Sequence, residues 1–394
     1  MNRTFANLAN RASSMTLFMN FGSRRAAVPA TLLVAAMVAG CASGPDKPKP
    51  GPLEPIVKPI SAPAAWQQKI GDIQFGMAVA VNEGTFTVAS TDGTVLALQS
   101  ETGRELWRAT VGGRLSAGVG SDGRYAAVVT RTNEVVVLEA GRTVWRKKLG
   151  VRVNTEPLVA GERIFVLGSD RSVRAFDAVD GRVLWEVKRS GDPLTLAQRG
   201  VIAAYKDTLL VGQGARLAAL NPNDGSVRWE VAVAAPRGTN EIERLADLVG
   251  PAVRIGDVVC ARSFQAAVSC INAERGTLAW SKNLGGTDGL AAAAQLVAAA
   301  DASDRISAWK PSSGEVAWSS EKLLYRQLGS PAMTADSVIF GDAAGTLHFL
   351  SKSDGASQLR VSTDGSGIVG VPAVLGKTVL VVTRAGGLFA FRTE

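Results

Sequence analysis

From residue 63 to the C-terminus the chain repeats one hydropathy pattern: short apolar runs separated by polar stretches rich in Gly, Asp and Asn. One full unit reads "EPLVAG", "RIFVLG", "SVRAFD", "RVLWEV", punctuated by "SDR" and "VDG". Runs this short, bounded by turn residues, are strands rather than helices. The closing phrase, "DAVDGRVLWEV" at residues 177–187, has counterparts in "QSETGRELWRA", "EAGRTVWRK", "NPNDGSVRWEV", "NAERGTLAWSK" and "KPSSGEVAWSS". The motif Trp residues are Trp66, Trp107, Trp145, Trp185, Trp229, Trp280 and Trp318, with Leu359 in the eighth place, at spacings of 41, 38, 40, 44, 51, 38 and 41. Four short antiparallel strands in such a period make one propeller blade.

Within the unit each position has a physical task. The Gly before the last strand (Gly103, Gly181, Gly225, Gly276, Gly314 and Gly355) suits a turn residue with positive φ. Inner runs such as "TVLALQ" and "RLAALN" are apolar on both faces, as strands sandwiched between neighbouring blades must be. The repeated Trp is expected to fill the wedge between adjacent blades. One stretch, "LAAAAQLVAAA" at residues 290–300, has strong helix propensity, but the repeat register assigns it to two inner strands. Trp309 lies outside the motif and falls in a buried third strand.

The ends settle the blade count. The C-terminal "TVLVVTRAGGLFAFRTE" supplies a second and a third strand and stops, while "AAWQQKI" near residue 66 is an orphan fourth strand carrying a motif Trp. Joined, they give an all-β fold: an eight-bladed β-propeller of four-stranded antiparallel blades, closed by the N-terminal strand in the C-terminal blade. Closure removes both open sheet edges.

Two connections break the repeat. After Trp185 comes "EVKRSGDPLTLAQRGVIAAY", and after Trp229 comes "EVAVAAPRGTNEIERLADLVGPAV". Connections from a fourth strand to the next first strand emerge on one face of a propeller, so these consecutive loops lie side by side. Leu194 and Leu196 follow Pro193 in the first; Ile242, Leu245 and Leu248 are interleaved with charge in the second. A short helix packed on its own blade is one reading of the second loop. We favour a docking surface, apolar anchors flanked by Arg199, Arg244 and Asp247.

The N-terminus reads as a processing segment. Arg24 and Arg25 precede the apolar run "AAVPATLLVAAMVA" at residues 26–39, which ends in "VAGC" at 38–41. Small residues before a Cys resemble a bacterial lipobox, in which Cys41 would be lipidated and become the mature N-terminus. Residues 1–40 are then a signal peptide, with Met19 an alternative start. Residues 41–62 are a Pro-rich tether, and 63–394 form the propeller. Ala42 and Ser43, with no Asp after the Cys, favour the outer membrane by the same resemblance, with the ring facing the periplasm.

Composition narrows the chemistry. The net charge of +8 falls to +4 once Arg3, Arg11, Arg24 and Arg25 are removed with the signal, and the remaining basic residues are scattered, so nucleic acid is not an expected partner. His348 is the single His, which excludes His-based triads and multi-His metal sites; it falls in a third strand as a packed or capping residue. Asp92, Asp170 and Asp342 fall at turns, where they bond their own backbone. No catalytic, cofactor or metal site is expected. Cys260 and Cys270 lie on neighbouring strands of one hairpin, and both a disulfide and two buried thiols fit that placement.

Two families resemble this pattern. "AFDAVDGRVLW" is similar to the repeat of pyrroloquinoline-quinone dehydrogenases, which makes a periplasmic quinone-dependent dehydrogenase the alternative function. No two Cys adjoin here, however, and the chain is too short for the caps that such enzymes carry. More specifically, the lipobox, "PLTLAQRG" at 193–200, "NEIERLAD" at 240–247, "LLYRQLGSP" at 323–331 and "GDAAGTLHFL" at 341–350 resemble the BamB family. That family consists of propeller lipoproteins of the outer-membrane β-barrel assembly machinery. The resemblance implies a non-enzymatic scaffold that binds the POTRA domains of BamA, with unfolded outer-membrane proteins as a second candidate partner. The family's contact uses a Leu-x-Leu-Arg loop and an Arg-Leu-x-Asp-x-Asp loop, which Leu194, Leu196, Arg244, Leu245 and Asp247 match. Ala197 stands where the Arg belongs, leaving Arg199 as its substitute, and Val249 replaces the second Asp.

Overall fold

The computed structural model describes residues 48–56, 59–189 and 194–393; the signal segment and Cys41 lie outside them. From Lys49 onward the chain forms one compact unit of eight four-stranded antiparallel sheets. Seven blades each use four consecutive strands. The eighth pairs Ala64–Lys69 with the C-terminal strand Gly387–Arg392, Trp66 opposite Ala390 and Lys69 opposite Gly387. First strands contact one another blade to blade around a closed cycle, the last touching the first. The Ala-rich stretch forms strands Ala291–Ala293 and Leu296–Ala300, so packing between blades overrides helix propensity there.

The inner strands are buried on both faces, as Phe86, Val88, Leu96 and Leu98 show, because each face meets a neighbouring blade. Fourth strands are mostly exposed except at the motif Trp. Each Trp reaches the turn between the third and fourth strands of the next blade. In six of the seven the indole N–H donates to a backbone carbonyl there: Trp66 to Ser100, Trp145 to Ala178, Trp185 to Pro222, Trp229 to Ala273, Trp280 to Pro311 and Trp318 to Lys352, at 2.7–3.0 Å. The ring of the Trp lies over the motif Gly of that turn. At Gly225, whose φ is +73°, an added Cβ would sit 2.8 Å from Trp185. Trp and Gly are thus two halves of one inter-blade latch.

This geometry explains the missing Trp. The blade after Leu359 has no covalent turn between its third and fourth strands, because the two chain ends meet there. Ile60 and Ala62 instead pack with Leu359 and Phe391, and the Ile60 N–H donates to the Gln358 carbonyl at 3.2 Å.

The tether expected to run to residue 62 is therefore shorter. Leu53 packs on the core shared by Leu323 and Leu328, Arg326 donates to the Gly51 carbonyl at 2.7 Å, and Lys322 pairs with Glu54 at 2.7 Å. Composition suggested a free spacer, but a few apolar residues suffice to seat this segment along the rim of the seventh blade. We expect Lys322→Glu to loosen it. An exposed ion pair contributes up to about 1 kcal/mol, so limited proteolysis after Lys49 should quicken up to about fivefold while the melting temperature of the ring stays put. Unchanged cleavage would mean that Leu53 and Arg326 hold the strap without Lys322.

His348 lies in the third strand of the seventh blade, buried, with Nε2 2.9 Å from Asp342 Oδ2. Burial would raise the Asp342 carboxyl, but bonds from His348 and the N–H groups of Thr346 and Ala344 outweigh it and hold the pKa below the ordinary value. Trp309 is buried in a third strand. Cys260 and Cys270 face each other across Val258–Ser263 and Ala267–Asn272 and are joined as a disulfide.

Candidate functional site

In a four-stranded meander, the connections from second to third strand and from fourth to the next first strand share one face. Hydrogen bonds between them confirm the grouping: Arg131 N–H donates to the Arg114 carbonyl, Ser169 to Arg152 and Phe264 to Asp247. Both long loops emerge on this face.

The second loop forms a single tight turn rather than a helix. Asn240 caps it, its side chain accepting the Glu243 N–H at 2.9 Å, while Glu243 accepts from the Thr239 N–H and the Asn240 side chain. This reciprocal arrangement is a capping box in miniature. The Thr239 backbone and hydroxyl bonds, with those from Asn240, hold the Glu243 carboxyl below its usual range. The turn projects Ile242, which at 74% exposure is the most exposed large apolar side chain among the described residues. Arg244 and Leu245 are half-buried behind it, and Ala246 and Leu248 are buried.

Asp247 joins the loops. Its Oδ2 accepts the Leu196 N–H at 2.8 Å across 51 residues of sequence, and its Oδ1 lies 3.5 Å from Arg171 Nη2. Arg171 also donates to the Leu194 carbonyl at 3.4 Å, and Thr195 Oγ1 donates to Ser169 O. Between the loops lies a small open cleft of about 60 Å³ lined by Asn154, Thr155, Arg171, Leu196, Gln198 and Asp247. Leu194, next in the chain to the lining residue Thr195, is 37% exposed.

Arg199 does not stand in for the missing loop Arg. It turns inward, and its guanidinium is taken up by Glu156, with Nε 2.6 Å from Oε1 and both side chains largely buried. A cation so paired is unavailable to a partner. Arg171 is the residue sequence reasoning missed. It occupies the turn position held by Gly93, Gly345 and Gly386 in other blades, and its own φ is +63°. A long side chain in a conformation that costs an L-residue about 1–2 kcal/mol is itself a signal, and "SDRS" among "TDGT" turns displays it. Nearby, burial raises the Asp170 carboxyl, but Ser172 and Lys188 outweigh that and keep its pKa low.

The ring and its one elaborated face define a β-propeller of the quinoprotein-repeat type, with added loops on one side. Comparison with known proteins is more specific. The family model for outer membrane protein assembly factor BamB matches residues 61–116 and 91–320, and the chain belongs to that family. It is 33% identical over 381 residues to outer membrane protein assembly factor BamB of Burkholderia pseudomallei, covering 95% of this chain and 100% of that one. Its counterpart in Bordetella pertussis is 32% identical, covering 94% and 97%. Among solved structures, BamB from Moraxella catarrhalis superposes with a TM-score of 0.76 at 21% identity, covering 84% of this chain and 100% of that one. The quinohemoprotein alcohol dehydrogenase of Comamonas testosteroni shares the fold, with a TM-score of 0.63 at 16% identity over 84% of this chain and 76% of that one.

Proposed function

We propose that the ring is a non-catalytic scaffold of the outer-membrane protein assembly machinery. In this reading a lipid on Cys41 holds it at the outer membrane, facing the periplasm, and its two long loops dock the POTRA region of BamA. Unfolded outer-membrane proteins are clients of the assembled machine. The single observation that carries the reading is the cleft lined by residues of both loops and stitched by Asp247, with Leu194 and Ile242 exposed on the same two loops. Relatives that span the whole chain are named as outer membrane protein assembly factors. The single His supports the non-catalytic role, since it is committed to Asp342 inside a blade.

Apolar anchors beside a half-buried Arg are the pattern of interaction hot spots, where truncation costs about 2 kcal/mol or more each. Full-length protein should therefore capture the BamA POTRA region, and Leu194→Ala/Arg244→Glu should weaken capture at least about tenfold, with circular dichroism unchanged. Undiminished capture would move the interface off these loops.

A further inference from the structure

Charge is unevenly spread along the chain. Residues 104–189 contain 16 Lys and Arg against 10 Asp and Glu, whereas residues 190–394 contain 19 of each. Much of the excess is neutralised locally: Arg108 pairs with Glu105, Arg124 with Glu139, Arg146 with Glu134 and Arg174 with Glu186. Three exposed arginines on the loop face are not. Arg114, Arg131 and Arg152 have no carboxylate at ion-pair distance among the described residues.

Their arrangement is specific. Arg114 Nη2 and Arg131 Nη2 both donate to one neutral acceptor, Gln74 Oε1, at 2.8 and 3.3 Å, so two like charges converge with no direct ion pair; Asp72 is reached only through the Gln74 amide, which donates to it at 2.7 Å. Arg152 repeats the position of Arg114 one blade further on. The carbonyl of each receives the N–H of the next turn, Arg131 to Arg114 at 2.7 Å and Ser169 to Arg152 at 2.8 Å. In the fifth blade the residue in that same role is Asp247, in the cleft. The arc also runs toward the cleft, because Asn154 and Thr155, which line it, lie two and three residues after Arg152 along the chain. Along the rim the face therefore changes from an acid engaged in the cleft to a row of unpaired guanidiniums beside it.

We propose that Arg114, Arg131 and Arg152 form a second contact of the docking face, which receives a carboxylate-rich surface of the same protein that seats on the two loops. The inference rests on the docking reading above. Converging guanidiniums without a carboxylate of their own give on-rate and orientation more than adhesion, so the contact should be sensitive to salt. It fixes the partner's angle on the ring, a task that two adjacent loops at one cleft perform poorly.

The test measures the affinity of the full chain for the BamA POTRA region at 50 and 300 mM salt. It compares wild type with Arg114→Glu/Arg131→Glu/Arg152→Glu and with the triple Gln variant, which keeps side-chain length if charge reversal disturbs folding. The reversal should weaken binding at least about tenfold at low salt and the Gln variant several-fold, and all three proteins should converge at high salt. Equal affinities at low salt would overturn the proposal. So would loss of binding to vesicles containing phosphatidylglycerol with POTRA binding intact, which would make the arc a lipid contact. Loss in the Arg variants but not in Leu194→Ala/Arg244→Glu would instead overturn the two-loop reading and keep the arc. A wild-type chain that does not bind would end both.

Discussion

Trp185→Ala should destabilise the ring by about 3–5 kcal/mol, read as a drop in the urea midpoint of unfolding. The side chain is 8% exposed, its ring centroid lies 5.9 Å from that of Phe165, and its N–H bonds the Pro222 carbonyl of the next blade. Trp185→Phe keeps most of the burial and forfeits the hydrogen bond, a loss of about 1 kcal/mol. The other half of the latch makes the sharper test. Gly225→Ala combines a positive φ, costing about 1–2 kcal/mol, with a Cβ forced against the Trp ring, costing roughly 1–3 kcal/mol more. The part of the second cost owed to the Trp ring disappears once Trp185 is Ala, while the contact with Val187 Cγ1 at 2.8 Å remains. The double variant should therefore be more stable than the two single losses added together, by about 1 kcal/mol. Additivity within about 0.5 kcal/mol would show that Gly and Trp do not act as a unit.

The second large effect is on docking. Asp247→Ala removes the acceptor of the Leu196 N–H and the partner of Arg171, so the Leu194–Leu196 segment loses its fixed place beside the second loop. Re-ordering that segment on binding, at about 1–2 kcal/mol per residue, should weaken POTRA affinity roughly 10- to 100-fold while the ring stays folded. Asp247→Asn retains an acceptor oxygen and should lose far less. Arg171→Gly separates order from stability: it relieves a strained backbone yet removes the bond to the Leu194 carbonyl. It should melt no lower than wild type and still bind more weakly. Asp247 and Arg171 are positioning residues in this account, so hydrogen exchange at the Leu196 amide should quicken in both variants. Faster exchange with undiminished affinity would show that docking does not depend on a pre-ordered loop.

Much of the architecture was legible from local pattern. Short apolar runs, turn residues and a recurring Trp gave the strands, the blades, their number and the closing strand, because each of these is written within about one repeat and copied around the ring. The Ala-rich stretch at 290–300 was readable only through the register of its neighbours. At the loops, Leu194, Leu196 and Leu245 stood out in the sequence as apolar residues outside strands, which is why they enter the docking proposal.

What the sequence could not settle was pairing between residues distant along the chain. Arg199 looked like a surface cation until the fold brought Glu156 beside it. Asp247 looked like a charge for a partner until the fold placed it under the Leu196 amide. The Pro-rich segment read as free, but the gap left by the missing turn of the closing blade seats Ile60 and Ala62. Cys260 and Cys270 needed an exact register, since a slip of one residue turns a side chain to the opposite face. The repeat itself, with its latch and its closure, was determined by the sequence alone, because those contacts recur at fixed spacing. The orientation of the two long loops was decided only by the tertiary structure, because the ring sets which loop ends meet, and no local pattern encodes a contact 51 residues away.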